Sequence, residues 1–264
     1  MRLCLPSGFA LKSSGMAGKV EAYRVVLRSL DDWDGYLMRE SGLPGPRGNL
    51  GLARAAAEEG DPARLARYRA LDAAQAPVNS PEGFLAFCGV LGLGVQLAQG
   101  DPAALGQLRM HAGDPRWRLR ESVAMALQRW GEVDLPSLQE AMDDWSAGSL
   151  LERRAAVAAL CEPALLLDEA ATRRALALLD RVTESLLEQP DRRAEDFRVL
   201  RQALGYAWSV AAAAHMQAGK AAMETWFGSS DPDVRWVMRE NLKKKRLVRL
   251  DPAWVEYWRE RIKG

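Results

Sequence analysis

The chain has 264 residues, with 36 Lys and Arg against 35 Asp and Glu, 48% hydrophobic residues and 7% aromatics. A chain of this length buries about three-quarters of its unfolded surface, so a core forms without disulfide or metal staples. The balanced charge argues against a polybasic nucleic-acid binder of the histone kind, and the hydrophobic and charged fractions argue against disorder.

Cys4, Cys88 and Cys161 are far apart and odd in number. They fit neither a secreted disulfide framework nor a zinc site, and point to a reducing cytoplasm. The start of the chain carries Arg2 and a short apolar stretch broken by Pro6, Gly8, Ser13 and Ser14. It lacks the continuous apolar centre of a signal peptide, so residues 1–16 are expected to be a disordered leader or a start misassigned ahead of Met16.

A first helix is expected over 17–39. Pro44, Gly45, Pro46 and Gly48 then form a joint that no helix crosses, and helices follow over 49–60 and 62–74. The next, 81–99, is strongly apolar. Gly89 and Gly92, three apart on one face, suit a close helix crossing, and Gly94 and Gln96 interrupt the apolar run too early for a bilayer span, so no membrane contact is expected. Further helices are expected over 102–112, 115–130, 135–146, 149–161, 165–188, 195–217, 219–228, 232–246 and 252–262. Many are announced by one start signal: Asp61-Pro62, Ser80-Pro81, Asp101-Pro102, Asp114-Pro115, Asp231-Pro232 and Asp251-Pro252. Asp or Ser caps free N–H groups of the first turn, and Pro fits the first helical position, where no N–H partner is needed. Between signals the apolar spacing is helical, as in Trp117, Val123, Ala124, Leu127 and Trp130. No alternating strand pattern occurs. The expected class is all-α.

The segment Asp114-Pro-Arg-Trp117-Arg-Leu-Arg120-Glu121 superimposes without gaps on Asp233-Val-Arg-Trp236-Val-Met-Arg239-Glu240, and 151–160 is a weaker copy. A loop Asp, an Arg, then small and apolar residues at helical spacing resembles the HEAT repeat. That resemblance implies an α-solenoid (α-α superhelix) of stacked antiparallel helix pairs, in which Asp and Arg tie adjacent turns. Each unit of such an array buries its face against its neighbours, so the ends need caps. Residues 17–100 are the expected N-terminal cap and 101–264 the repeat array, continuous as one domain.

The run from Phe197 through Arg201, Gln202, Leu204, Gly205 and Tyr206 to Trp208 looks like a segment of the DNA-alkylation-repeat proteins, a HEAT-like family that includes glycosylases excising alkylated purines. The Arg153-Arg154 run and Asn241 to Lys244 are similar to other pieces of it. The resemblance implies that Tyr206 is a wall aromatic and that Arg153 or Arg154 contacts backbone phosphate. The family pattern places an Asp four residues after a Trp. Here Trp117 is followed at that offset by Glu121.

Six of the nine tryptophans read as plugs at helix junctions, whereas Trp117, Trp208 and Trp236 sit beside arginines or small residues and are expected to be partly exposed. Trp117 with Arg120, and Trp236 with Arg239, are three apart on a helix face and so placed to stack cation on ring. Charge is segregated: residues 131–191 carry thirteen acidic and five basic side chains, while residues 232–264 carry ten basic and five acidic, including Lys243, Lys244, Lys245 and Arg246. The only histidines, His111 and His215, have no partners at metal-ligand or nucleophile-elbow spacing. Paired acids such as Asp31-Asp32 and Asp143-Asp144 read as helix-end polarity.

These features point to a non-catalytic HEAT-like scaffold that engages a protein or peptide on a concave face, with no metal and no cofactor. The expected binding residues are Trp117, Arg120, Arg153, Arg154, Arg201, Tyr206, Trp208, Trp236, Arg239 and Lys243. The alternative is a DNA-damage binder or alkylpurine DNA glycosylase, a nucleic-acid partner, with Glu121 as its carboxylate.

Overall fold

The computed structural model describes the backbone of residues 8–262 and the side chains from residue 18 onward. The leader expected over 1–16 falls outside these side chains, as does the Cys4 thiol. The described residues form fifteen α-helices and one 3-10 turn, Pro163–Leu165, with no strand among them. The chain divides into two compact units, Met1–Ala126 and Leu127–Gly264.

Helix starts follow the capping chemistry closely. Asp61 accepts from the Arg64 N–H at 2.9 Å, Ser80 from Gly83 at 3.0 Å, Asp231 from Val234 at 3.1 Å and Asp251 from Trp254 at 2.9 Å. Each thereby satisfies a first-turn N–H that has no intrahelical partner. At Asp101 and Asp114 the same signal acts earlier, accepting from the N–H two residues on, Ala103 at 3.0 Å and Arg116 at 2.8 Å.

The first unit holds α1 (Gly8–Arg28), α2 (Asp34–Glu40), α3 (Leu50–Glu59), α4 (Pro62–Arg69), α5 (Pro81–Ala98), α6 (Ala103–Ala112) and the start of α7 (Trp117–Gly131). The helix expected over 17–39 is two helices. Trp33, buried at the break, donates its indole N–H to the carbonyls of Leu27 at 2.9 Å and Leu30 at 3.2 Å, which closes α1. Helix α5 is the wall on which the unit is built, in contact with α2, α3, α4 and α6, while α1 packs on α3. Its glycines make the approaches possible. A Cβ on Gly89 would lie 2.7 Å from the Leu65 carbonyl oxygen of α4, and one on Gly94 would lie 2.6 Å from the Ala126 Cα of α7. Ser122 of α7 also donates to the Phe87 carbonyl at 2.7 Å. At eighteen residues α5 is long and apolar enough to cross a membrane, although the interrupted run reads as too short, and 72% of it lies buried inside the fold.

The second unit holds the rest of α7, then α8 (Leu135–Trp145), α9 (Leu150–Leu160), α10 (Glu169–Glu184), α11 (Glu195–Ala214), α12 (Met216–Phe227), α13 (Pro232–Leu242), α14 (Lys245–Leu250) and α15 (Pro252–Arg261). Helix α11 is its centre, in contact with α9, α10, α12, α13 and α14. Asn241, fully buried on α13, donates to the Leu204 carbonyl at 2.8 Å and accepts from the Ser209 N–H at 2.8 Å, both on α11. A buried amide is tolerated when its donors and acceptor are met, and these bonds fix the register of the two helices. The single helix expected over 232–246 is broken at Lys243 and Lys244, and Arg259 of α15 donates to the freed Leu242 carbonyl at 2.8 Å.

Candidate functional site

Trp117 occupies the first position of α7, and helical spacing aligns it with Glu121 and Met125 on one face. The Pro46–Gly48 joint, Leu50 of α3 and Phe87 of α5 line the same space. These residues, with Arg47 and Arg118, enclose a cleft of about 290 Å³ wholly within the first unit. Leu50 is 49% exposed and Trp117 is 48% exposed, so two large apolar side chains of its lining stand open to water.

Arg118 fixes the Trp117 wall. Its guanidinium carbon lies 4.4 Å from the Trp117 ring centroid, and its Nη2 donates to the Gly45 carbonyl at 2.8 Å and to Asn79 Oδ1 at 3.2 Å. The ring is thus held in place by a cation that is itself anchored on two loops, a contact worth about 0.5–1 kcal/mol at an exposed position. Arg120, expected in that place, is buried and turns its Nη1 to the carbonyls of Asp114 at 2.8 Å and Pro115 at 3.2 Å. The reason is local: Arg120 lies on the face of α7 that turns back to the helix start, and the open turn there presents unpaired carbonyls.

In the second unit, Trp208 is not a surface residue. It is fully buried, and its indole N–H donates to Thr183 Oγ1 at 3.0 Å. The small residues around it mark close packing rather than exposure. Trp236 lies across Gly205, where an added Cβ would meet its ring at 3.0 Å. The guanidinium over Trp236 is that of Arg201, 4.5 Å from the centroid, and Arg201 also pairs with Asp233. Arg239 is half-buried on α13, and Lys243 lies 2.5 Å from Glu240. Arg153 donates to the Gly148 carbonyl at 2.9 Å, and Arg154 is half-buried on the same helix, α9. Tyr206 is half-exposed on α11, with the Lys244 Nζ 5.7 Å and the Arg246 guanidinium carbon 4.5 Å from its ring centroid.

Glu121 therefore belongs to the Trp117 cleft in the first unit, and Tyr206, Arg153 and Arg154 belong to the second. The residues missed from sequence were the partners of Trp117. Leu50 and Phe87 come from other helices, and Arg47 sits in a joint legible only as a chain break.

The two histidines lie in different units. Burial holds His111 below its ordinary pKa, against the pull of nearby Asp114. His215 accepts from the Ala218 N–H at 3.3 Å as the cap of α12, and faces Glu169 at 3.3 Å. Among the described residues no three His, Cys, Asp or Glu side chains are grouped to hold a metal ion. Cys88 and Cys161 are free and buried, and burial pushes the Cys161 thiol up to about 12, far from a reactive thiolate. The apolar part of the cleft lining is Leu50, Phe87, Met125 and the Trp117 ring, and its charged part is Glu121, Arg47 and Arg118. No protein-family model, curated protein or solved structure matches the chain.

Proposed function

We propose that the chain is a non-catalytic HEAT-like binding module that takes an apolar side chain of a protein or peptide partner into the Trp117 cleft. The observation that carries this reading is the half-exposed Trp117, held by Arg118 and lining one cleft with the equally exposed Leu50. Tryptophan and arginine dominate interface energetics, and an aromatic beside a pocket is the usual form of an anchor site. Covering about 100 Å² of apolar surface there supplies about 2–3 kcal/mol, enough for one anchor of a modest-affinity contact.

The solenoid part of the reading is supported by how odd-numbered helices meet. In the first unit α1 packs on α3 and α3 on α5, and in the second α9 packs on α11, α11 on α13 and α13 on α15, with even-numbered helices set against them. Contact between next-but-one helices is what stacked helix pairs produce. The free, buried cysteines favour a reducing compartment such as the cytoplasm.

The test is a random-peptide display selection on the full chain, followed by binding of the selected peptides to Trp117→Ala and Leu50→Ser variants. At least tenfold weaker binding to both, with melting curves kept near wild type, is expected. Equal binding to wild type and both variants, or a selection that yields no peptide, removes the reading.

A second reading has one observation in its favour: Glu121 shares the cleft with Trp117, which places a carboxylate beside an exposed ring. A DNA-damage binder or alkylpurine glycosylase uses that pairing to hold a cationic base. Release of an alkylated base from duplex DNA, abolished by Glu121→Gln, would replace the first reading with this one.

A further inference from the structure

Away from the Trp117 cleft, the link after α13 and the short α14 carry five cations in seven positions: Lys243, Lys244, Lys245, Arg246 and Arg249. Three of them differ from ordinary surface side chains in how they are held. Lys243 is 2.5 Å from Glu240. Lys244 and Arg246 both converge on the half-exposed ring of Tyr206, which projects from the neighbouring α11. Arg246 is doubly fixed, for its Nη2 also donates to the Tyr206 hydroxyl. Lys245 and Arg249 stand exposed beside this group.

We propose that Tyr206, Lys244 and Arg246 form a docking site for an acidic segment of a protein partner, a short run of Glu or Asp side chains. The Tyr206 ring gathers both cations about one point, and the Arg246 fork is the donor geometry that matches a carboxylate. Holding Arg246 before the partner arrives removes part of the side-chain ordering cost that binding otherwise incurs. The ring faces Lys244 and Arg246, so it serves to position cations rather than to stack a nucleobase.

A short acidic peptide fits better than a nucleic acid for a second reason. The basic group is compact, the chain is nearly neutral, and residues 131–191 of the same unit carry thirteen acids against five bases. An acidic excess in the same unit disfavours a long polyanion more than it disfavours a few carboxylates. The acids that face the group from within are Glu240, already paired with Lys243, and half-buried Glu162, which feels Arg246 electrostatically. Burial and the like charge of Glu132 hold the Glu162 carboxyl above the usual carboxylate range, against the pull of Arg246. The pull between Glu162 and Arg246 is the smallest of these influences and leaves the cation available.

The experiment is fluorescence anisotropy of the full chain with a labelled oligoglutamate peptide of about ten residues, and with single-stranded and duplex DNA of equal charge. Expected are preference for the peptide, weakening with added salt, and at least tenfold loss in Arg246→Glu. Tyr206→Phe, which keeps the ring but not the hydroxyl acceptor, weakens binding a few-fold. Arg249→Glu changes charge equally on the same helix but off the Tyr206 ring, and has the smaller effect. Tighter binding of either DNA overturns the proposal, as does absence of peptide binding or an equal loss in Arg249→Glu and Arg246→Glu. The Trp117 variants leave this binding unchanged, so its failure is distinct from failure of the cleft.

Discussion

Asp114 grips Arg116, two residues further along, with both carboxylate oxygens, Oδ1 accepting from Nε at 2.9 Å and Oδ2 from Nη2 at 2.8 Å. The remaining guanidinium nitrogen, Nη1, donates to the carbonyls of Leu71 at 2.9 Å, Asp72 at 3.1 Å and Ala76 at 3.1 Å. One side chain thus joins the start of α7 to the loop that precedes α5. Burial works to raise the Asp114 pKa, but bonds from the Arg116 side chain and backbone outweigh it and leave the carboxyl below its ordinary range.

Arg116→Ala is expected to destabilise the first unit by about 3–5 kcal/mol, because it strands a buried carboxylate and three carbonyls. The double variant Asp114→Asn, Arg116→Met removes both charges and is expected to cost less than Arg116→Ala alone. Urea unfolding of the three proteins measures this. A loss below about 1 kcal/mol in Arg116→Ala would show that water replaces the guanidinium at little cost.

Glycine-to-alanine changes at two helical sites should have opposite signs. At Gly94 the added methyl meets the Ala126 backbone, which cannot yield as a side chain does, and a loss of about 1–3 kcal/mol is expected. At Gly106, inside α6, nothing lies within 4 Å of the new methyl, and a gain of about 0.5–1 kcal/mol is expected from helix propensity. Thermal melts of the two variants give the comparison, and a neutral Gly94→Ala would refute the close crossing of α5 and α7.

Glu59 predicts a pH dependence. Bonds from Arg28 at 2.6 and 2.8 Å lower its carboxyl from 4.5 to about 2, against burial and with help from Arg24. With the folded value depressed, the unfolded chain binds the proton first on acidification. The stabilisation is complete above about pH 5 and is lost as pH falls from 4.5 towards 2. The stability difference between wild type and Glu59→Gln, measured by urea unfolding, should be largest at neutral pH and shrink markedly by about pH 3. A difference that stays constant over that range would mean the carboxylate charge is not its source.

Local chemistry explains what could be read in advance and what could not. Asp61, Ser80, Asp231 and Asp251 cap their helices as expected because a cap needs only neighbouring residues. Gly89 and Gly92 announce the close crossing with α4 for the same reason, since the missing side chain is visible in the sequence even when the partner helix is not. The gapless match of Asp114 to Asp233 conceals a difference: Asp231 is the cap of α13, while Asp233 pairs with Arg192 at 3.0 Å and with Arg201. The cations over Trp117 and Trp236 were assigned by intrahelical spacing to Arg120 and Arg239. The structure places Arg118 and Arg201 there, one anchored on two loops and the other reaching from a different helix. The cleft itself, formed where α3, α5 and α7 meet, depends on contacts among residues far apart in the chain.

The packing of α5 has a consequence for how the first unit comes apart. Helices α2, α3, α4 and α6 lean on this one hydrophobic rod, so a break anywhere along 81–98 deprives all of them of a shared backing at once. The segment from α2 to α6 is consequently expected to open as one block, its amides exchanging with solvent together and proteolysis yielding no stable intermediate fragment cut within it.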